Sequence, residues 1–510
     1  HECWRGSNLC SALARRGVSF DAAYCQAPIC TPSRMSLLTG KNTSNCSVWN
    51  NHWVLCPEHR TIADHFAAAG YATSLVGKMH FGGRDQCHGF QSRPYGDLRH
   101  GGGHQPDPID MFPNKGGVAH AGPSEIPESL QQETIVSIET AAWIKEQRAA
   151  NPAQPWLACA SYNRPHAPLT CPQRYFDKYV GRTPAVGLDD DDTAAHHPYP
   201  ATQRENYGLT DVSSGQTERA RAAYWGAVDF LDDCIGLLLW QLDREGALDN
   251  TFIVYISDHG DMIGRHGLWW KAIYYEEAIR VPFLIAGPGI PEGLRRSELV
   301  ALTDLFPTLC QLAGLAAPEA IDGIDVSPIL QGNSKSPPRE SVISEYFGIG
   351  MLTKPYRSGS KGNSMRLIRT ERYKYVNTFE QGDLLFDLQE DPREYHNRID
   401  DADYSEIRHS LATTLNTGFS WDGVLARIEA DRQRAAEFRS GQRPSTPNQY
   451  QLADGRVFPE EQGAACQDRD LAAKPGKGLR QFQRHHRRTD HGQACGNGVA
   501  DKRFGGSPVG

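Results

Sequence analysis

Thr251-Phe252-Ile253-Val254-Tyr255-Ile256, running into Ser257-Asp258-His259-Gly260-Asp261, is the stretch on which the fold turns. Its first half is β-branched and aromatic, as a strand is, and its second half gathers groups that bind metals or move protons. Just upstream, Tyr224, Val228, Leu231, Ile235, Leu238 and Leu242 recur at spacings of three and four, which predicts a helix from Thr217 to Glu245 closed by Gly246. A helix followed by a strand that ends in polar residues is the repeating unit of an α/β sheet. Ligands of such sheets bind beyond the carboxyl ends of the strands.

The same unit occurs twice more. Thr61 to Ala69 reads as a short helix ended by Gly70, and the buried strand Ala72 to Val76 then delivers Gly77-Lys78-Met79-His80. A helix from Leu130 to Ala149 stops before Pro152 and Pro155, and the strand Trp156 to Ser161 leads into Arg164-Pro165-His166-Ala167-Pro168. Three polar clusters are thus expected to share one crevice. After Pro337-Pro338 the pattern changes to short strands at Ser341 to Tyr346, Met365 to Thr370, Tyr373 to Asn377 and Asp383 to Leu388. The organisation expected is a catalytic domain over 1–335, a small antiparallel α+β domain over 336–445, and a tail over 446–510. From Cys466 that tail holds nine Lys or Arg against four Asp or Glu with no apolar periodicity, and disorder is expected.

With 510 residues, 39% of them hydrophobic, the chain can bury a large core. Its net charge of −8 argues against a nucleic-acid partner. The apolar run Ile235 to Trp240 is far shorter than the roughly 20 residues a membrane span needs, so a soluble chain is expected. Thirteen cysteines without any Cys-x-x-Cys pair leave the compartment open. No signal peptide is visible ahead of the first globular pattern.

Cys30-Thr31-Pro32-Ser33-Arg34 with Leu38-Thr39-Gly40-Lys41 resembles the signature of the formylglycine-dependent sulfatases of the alkaline-phosphatase-like superfamily. Further blocks follow in that family's order: Gly77-Lys78-Met79-His80, Pro165-His166-Ala167-Pro168, Ser257-Asp258-His259-Gly260, and Lys271 leading to Glu276-Glu277-Ala278-Ile279-Arg280-Val281-Pro282. Arg372-Tyr373-Lys374-Tyr375 and Leu385-Phe386-Asp387-Leu388 look like its C-terminal hairpin. The resemblance, from about Asn8 to Pro459, implies a mixed sheet between helices and hydrolysis of an organic sulfate ester to an alcohol and inorganic sulfate.

It also implies the roles. Cys30 is oxidised to formylglycine by a maturation enzyme, and the hydrate attacks sulfur. Arg34 holds that residue, Lys78 and Lys271 contact the sulfate, His80 assists proton removal, and His166 protonates the leaving oxygen. Fixed cations suit the charge that develops on sulfate oxygens, and histidine titrates near neutrality, as proton transfer requires. Asp258 and His259, with position 30, match ligands of one divalent metal, usually calcium. Read singly, Cys30 is a small buried hydrophobe, His80 a core histidine, His166 a turn residue, Asp258 a helix cap and Lys271 a solvated cation beside Trp269 and Trp270. Their order along the chain favours the catalytic reading.

One departure stands out. Family members carry a metal-binding Asp pair at the end of a first strand, farther upstream than the 29 residues before Cys30. Leu13 to Phe20, after Asn8-Leu9, resembles the next helix and strand, so the first strand and the Asp pair are expected to be missing from this sequence. Two alternatives to a sulfatase remain at this level: a phosphonate monoester or phosphodiester hydrolase using the same modified cysteine, and a non-catalytic remnant. Gly77 to Gly82 with Asp85-Gln86 and His88-Gly89-Phe90 resembles the choline-sulfatase-like branch, while a sulfated sugar stays open as substrate. Trp49, Asn51, His52, Asp97, His104 and Trp270 are candidates to line its pocket or, equally, ordinary loop residues.

Overall fold

In chain order the strands are β1 (Gly17–Tyr24), β2 (Ala72–Gly77), β3 (Ser92–Tyr95), β4 (Trp156–Ser161), β5 (Ile253–Ile256), β6 (Phe283–Ala286), β7 (Leu294–Ala301), β8 (Ser341–Phe347), β9 (Ser364–Thr370), β10 (Tyr373–Thr378) and β11 (Leu384–Asp387). The helices that matter for the site are α1 (Cys30–Thr39), α2 (Ile62–Ala68), α3 (Gln132–Ala150), α4 (Pro198–Asn206) and α5 (Ser214–Arg244). This computed structural model describes residues 13–83, 85–96, 117–332, 339–348 and 363–440, with strand pieces at 450–451 and 457–458. Asn8-Leu9, Asp97, His104, Pro337-Pro338, the expected boundary at 335/336 and the tail from Cys466 lie outside the described residues.

These eleven strands form two parallel or mixed sheets and one antiparallel sheet, and four two-residue strands pair off as Gly122–Pro123 with Thr170–Cys171 and Tyr450–Gln451 with Val457–Phe458. β3-β2-β4 is parallel throughout, with Ala72 to Gly77 in unbroken register with Trp156 to Ser161. The second sheet has the order β5-β6-β1-β7, β1 running parallel to β7 and antiparallel to β6. β8-β9-β10-β11 is the expected antiparallel C-terminal sheet, each strand paired with its sequence neighbour. Its apolar face, including Val342, Met365, Leu367 and Phe386, joins one hydrophobic core with Val18, Phe20, Phe283 and Val300 of the second sheet.

Burial separates the strands. Every residue of β2 and β6 is buried, whereas every residue of β4 and β5 is only half-buried despite similar apolar content. β4 and β5 are edge strands, each paired on one side only among the described residues. An apolar strand in such a sheet ordinarily buries both its faces and both its hydrogen-bonding sides, so half-burial goes with pairing on one side.

Helix starts follow capping chemistry. Thr61 and Asp64 form a reciprocal capping box at the head of α2, and Ser213 with Gln216 does the same for α5. The latter explains why α5 begins at Ser214 and not at the expected Thr217: its first turn is set by the cap, whereas apolar periodicity begins further on. Among the described residues no helix is long and apolar enough to cross a membrane.

Candidate active site

α1 opens at Cys30, whose side chain is 1% exposed. Pro32 is tolerated there because N–H groups in a first helical turn have no intrahelical acceptor. Around this helix head the strand ends are tied together by one side chain. Arg34 donates Nε to Asp258 Oδ2 at 2.7 Å, beyond β5, and Nη1 to the Lys78 carbonyl at 2.7 Å, beyond β2. The same Nη1 donates to Ser161 Oγ at the end of β4 at 3.1 Å. Ser33 Oγ adds a bond to the Asp258 carbonyl at 2.5 Å. The three sequence clusters are thus brought to one place, as expected.

Two glycines let backbones close in. A Cβ on Gly77, which has φ +96°, would lie 2.1 Å from the Ser161 carbonyl oxygen. One on Gly260 would lie 1.9 Å from the Glu277 carbonyl oxygen. Only glycine permits either approach.

His259 Nε2 is 3.3 Å from Cys30 Sγ. His80 reaches this group through its carbonyl, which accepts from Thr31 Oγ1 at 2.9 Å, and Asn51 Oδ1 accepts the Thr31 N–H at 2.9 Å. His166, half-buried, has Nδ1 2.9 Å from the Ala167 carbonyl and its ring 6.5 Å from that of Trp270.

The field at this place is cationic. Burial pushes the Cys30 thiol up, but the ammoniums of Lys271 and Lys78, with His259 and His166, hold it well below its ordinary value. For His166, burial followed by the same two lysines drives the pKa well down, against an opposing pull from Cys30. Asp258 is lowered to about 2: burial opposes ionisation, and Arg34, His259 and Lys78 together more than overcome it. Lys271 and Lys78 therefore act on the same two groups, which places the expected sulfate contacts together.

The donor chemistry also fits a divalent metal. Cys30 Sγ, a carboxylate oxygen of Asp258 and a ring nitrogen of His259 lie within 4.8 Å of one another. His259 Nδ1 is 2.8 Å from the Gly260 carbonyl, a contact that requires the proton on Nδ1 and leaves the Nε2 lone pair free to ligate.

Other candidates went elsewhere. Trp49 is fully buried, its Nε1 donating to Asp431 Oδ2 at 3.1 Å and its ring 5.0 Å from Phe347, so it belongs to the core. Asp85 accepts the N–H groups of Cys87 and His88, and Gln86 donates to the Gly83 carbonyl at 2.9 Å, which makes this run a self-bonded turn. Ser161 was not singled out by sequence. Its only signal was a polar residue ending an apolar strand.

Comparison with known proteins comes out in the same direction. The family described as Sulfatase matches residues 6–315, and that described as N-sulphoglucosamine sulphohydrolase, C-terminal, matches 264–419. A choline-sulfatase of Rhizobium meliloti is 33% identical over 406 residues, 76% of either chain. An arylsulfatase of Clostridium perfringens is 29% identical, over 77% of this chain and 85% of its own. Among solved structures, the phosphonate monoester hydrolase of Agrobacterium radiobacter superposes with TM-score 0.68 at 25% identity, over 82% of this chain and 90% of that one. A putative sulfatase from Bacteroides thetaiotaomicron gives 0.63 at 25%, over 83% and 87%.

Proposed function

This chain belongs to the sulfatase family, a hydrolase of sulfate esters, and on that premise we propose that it cleaves a small organic sulfate at Cys30 converted to formylglycine. The observation that carries the proposal is the convergence of Lys78, Lys271 and His166 on the buried Cys30 at the head of α1. Converted, position 30 supplies a geminal diol, one hydroxyl to attack sulfur and the other to release sulfate when it collapses. Lys78 and Lys271 bind the sulfate oxygens and offset the charge that grows on them.

His166 gives its proton to the leaving oxygen. Burial depresses it most and the two lysines next; a bound sulfate offsets the lysines' part, which moves His166 back toward the imidazolium it needs. Arg34 holds Asp258 ionised and ties it to Lys78 and Ser161, keeping the floor of the site rigid beneath position 30. His80 takes the proton of the attacking hydroxyl. Asp258, His259 and position 30 would hold a divalent metal, calcium by resemblance to the family, and when bound it would supply Lewis-acid polarisation of the sulfate. Replacing sulfur by oxygen at position 30 makes that donor set harder and closer to calcium's preference.

The identity with choline-sulfatase supports choline sulfate as the first substrate to try. Protein co-expressed with the maturation enzyme should hydrolyse aryl sulfate and choline sulfate in preference to aryl phosphonate and to a panel of sulfated sugars. Preference for the phosphonate would move the chain to the hydrolase class of its structural neighbour, and preference for a sugar sulfate would overturn the choline assignment.

A further inference from the structure

Lys271 sits on backbone that nothing in its own sequence favours. Trp270 has φ +73° and Ala272 has φ +67°, so two non-glycine residues in the left-handed region flank it. Such backbone is strained for a residue with a Cβ, and the strain persists only where surrounding structure imposes it. Part of the restraint is local. Trp270 N donates to Asp261 Oδ1 at 3.1 Å, the Trp270 carbonyl accepts Met262 N at 2.8 Å, and Ala272 N donates to the Pro28 carbonyl at 2.8 Å.

The carbonyls of Lys271 and Ala272 find their partners on α4. Gln203 Nε2 donates to the Lys271 carbonyl at 2.6 Å, and Tyr199 Oη donates to the Ala272 carbonyl at 3.2 Å. The two side chains are four residues apart and so share one helix face, and both are buried, at 3% and 0%. Arg204 extends the grip by donating Nη1 to the His266 carbonyl at 3.2 Å. α4 is itself fixed: His197 Nδ1 caps the Tyr199 N–H, and Asn363 Nδ2 donates to the Tyr199 carbonyl at 2.9 Å.

We propose that Gln203 and Tyr199 are positioning residues, a clamp that holds the strained Trp270-Lys271-Ala272 backbone so that the Lys271 ammonium points at position 30. Neither touches the reacting atoms. The inference rests on Lys271 acting at the site, and it adds what keeps Lys271 there. If the clamp is released, Trp270 and Ala272 relax to ordinary backbone and the Cα–Cβ bond of Lys271 turns away.

The test is a double-mutant cycle. In the converted enzyme, Gln203→Leu should lower kcat/KM for aryl sulfate by about tenfold to a hundredfold, the scale of an ångström-level misplacement. In a Lys271→Met background it should cause no further loss. An equal loss in both backgrounds would show a role in general stability and overturn the proposal. A readout independent of turnover is the binding of inorganic sulfate to the same protein by calorimetry. Gln203→Leu should weaken it by about tenfold, the scale of one lost contact to a charged group, and weaken it no further when Lys271 is already Met. Sulfate affinity identical to wild type in Gln203→Leu also overturns the clamp. If wild type fails on aryl sulfate while the sulfate-binding cycle shows coupling, the functional reading falls and the clamp stands. Tyr199→Phe, which removes one oxygen, carries the same cycle should Gln203→Leu not fold.

Discussion

Two clusters of buried charge differ in balance. At the site, Arg34, Lys78 and Lys271 face Asp258 and Asp261, an excess of cations gathered around Cys30. Between the second sheet and the C-terminal sheet, Lys374 and Arg369, with Arg280 at the rim, face Glu276 and Glu394, with Glu277 at the rim. Lys374 pairs with both carboxylates, Arg369 Nε lies 3.3 Å from Glu276 Oε1, and Tyr24 Oη donates to Glu276 Oε2 at 2.9 Å. The balanced cluster pairs its opposite charges with one another and joins two sheets. The unbalanced one carries the excess of positive charge that an anion from outside would offset, which is what the proposed sulfate ester would supply.

The contrast breaks most visibly in the balanced cluster. Lys374→Met removes the ammonium that two buried carboxylates share and leaves Glu394 without its cation, and should cost about 3–5 kcal/mol of stability, read as a lower urea midpoint. A midpoint within error of wild type would deny that the cluster is a lock. Lys271→Met, on the other side, should leave the midpoint unchanged and raise the barrier by about 3–4 kcal/mol, read as a loss of roughly 10²–10³ in kcat/KM. A fall in stability of that size instead would make Lys271 structural.

A smaller effect separates the clusters by pH. Asp258 is held at about 2, below its ordinary 3.8, so its stabilisation is present above 3.8 and is lost as pH falls through about 2, a loss of about 2 kcal/mol. Asp258→Asn should flatten that acid limb in urea titrations. Glu394 moves the other way: burial first, and then Glu276, push it up against the pull of Lys374. Its contribution is full at acid pH and fades as pH rises through its raised pKa, and Glu394→Gln should remove that decline.

Much of this was legible in the chain. Strand composition placed β2, β4 and β5, and the residues just after them, Lys78, His166 and Asp258, met where the ends of an α/β sheet should meet. The half-burial of β4 and β5 was not legible, because an apolar run reads the same whether one side of the strand is paired or two. Trp49 shows a second limit, since its indole is claimed by Asp431, 382 residues away. Tyr199 and Gln203 were invisible because they act on backbone carbonyls, which every residue has. Only the folded geometry shows which carbonyls need a donor.

The central claim is that position 30 is made for conversion. Mass spectrometry of the peptide containing Cys30, from protein co-expressed with a formylglycine-generating enzyme, tests it most directly. An aldehyde in place of the thiol is the expected result; Cys30 recovered as an unmodified thiol under those conditions would overturn the assignment.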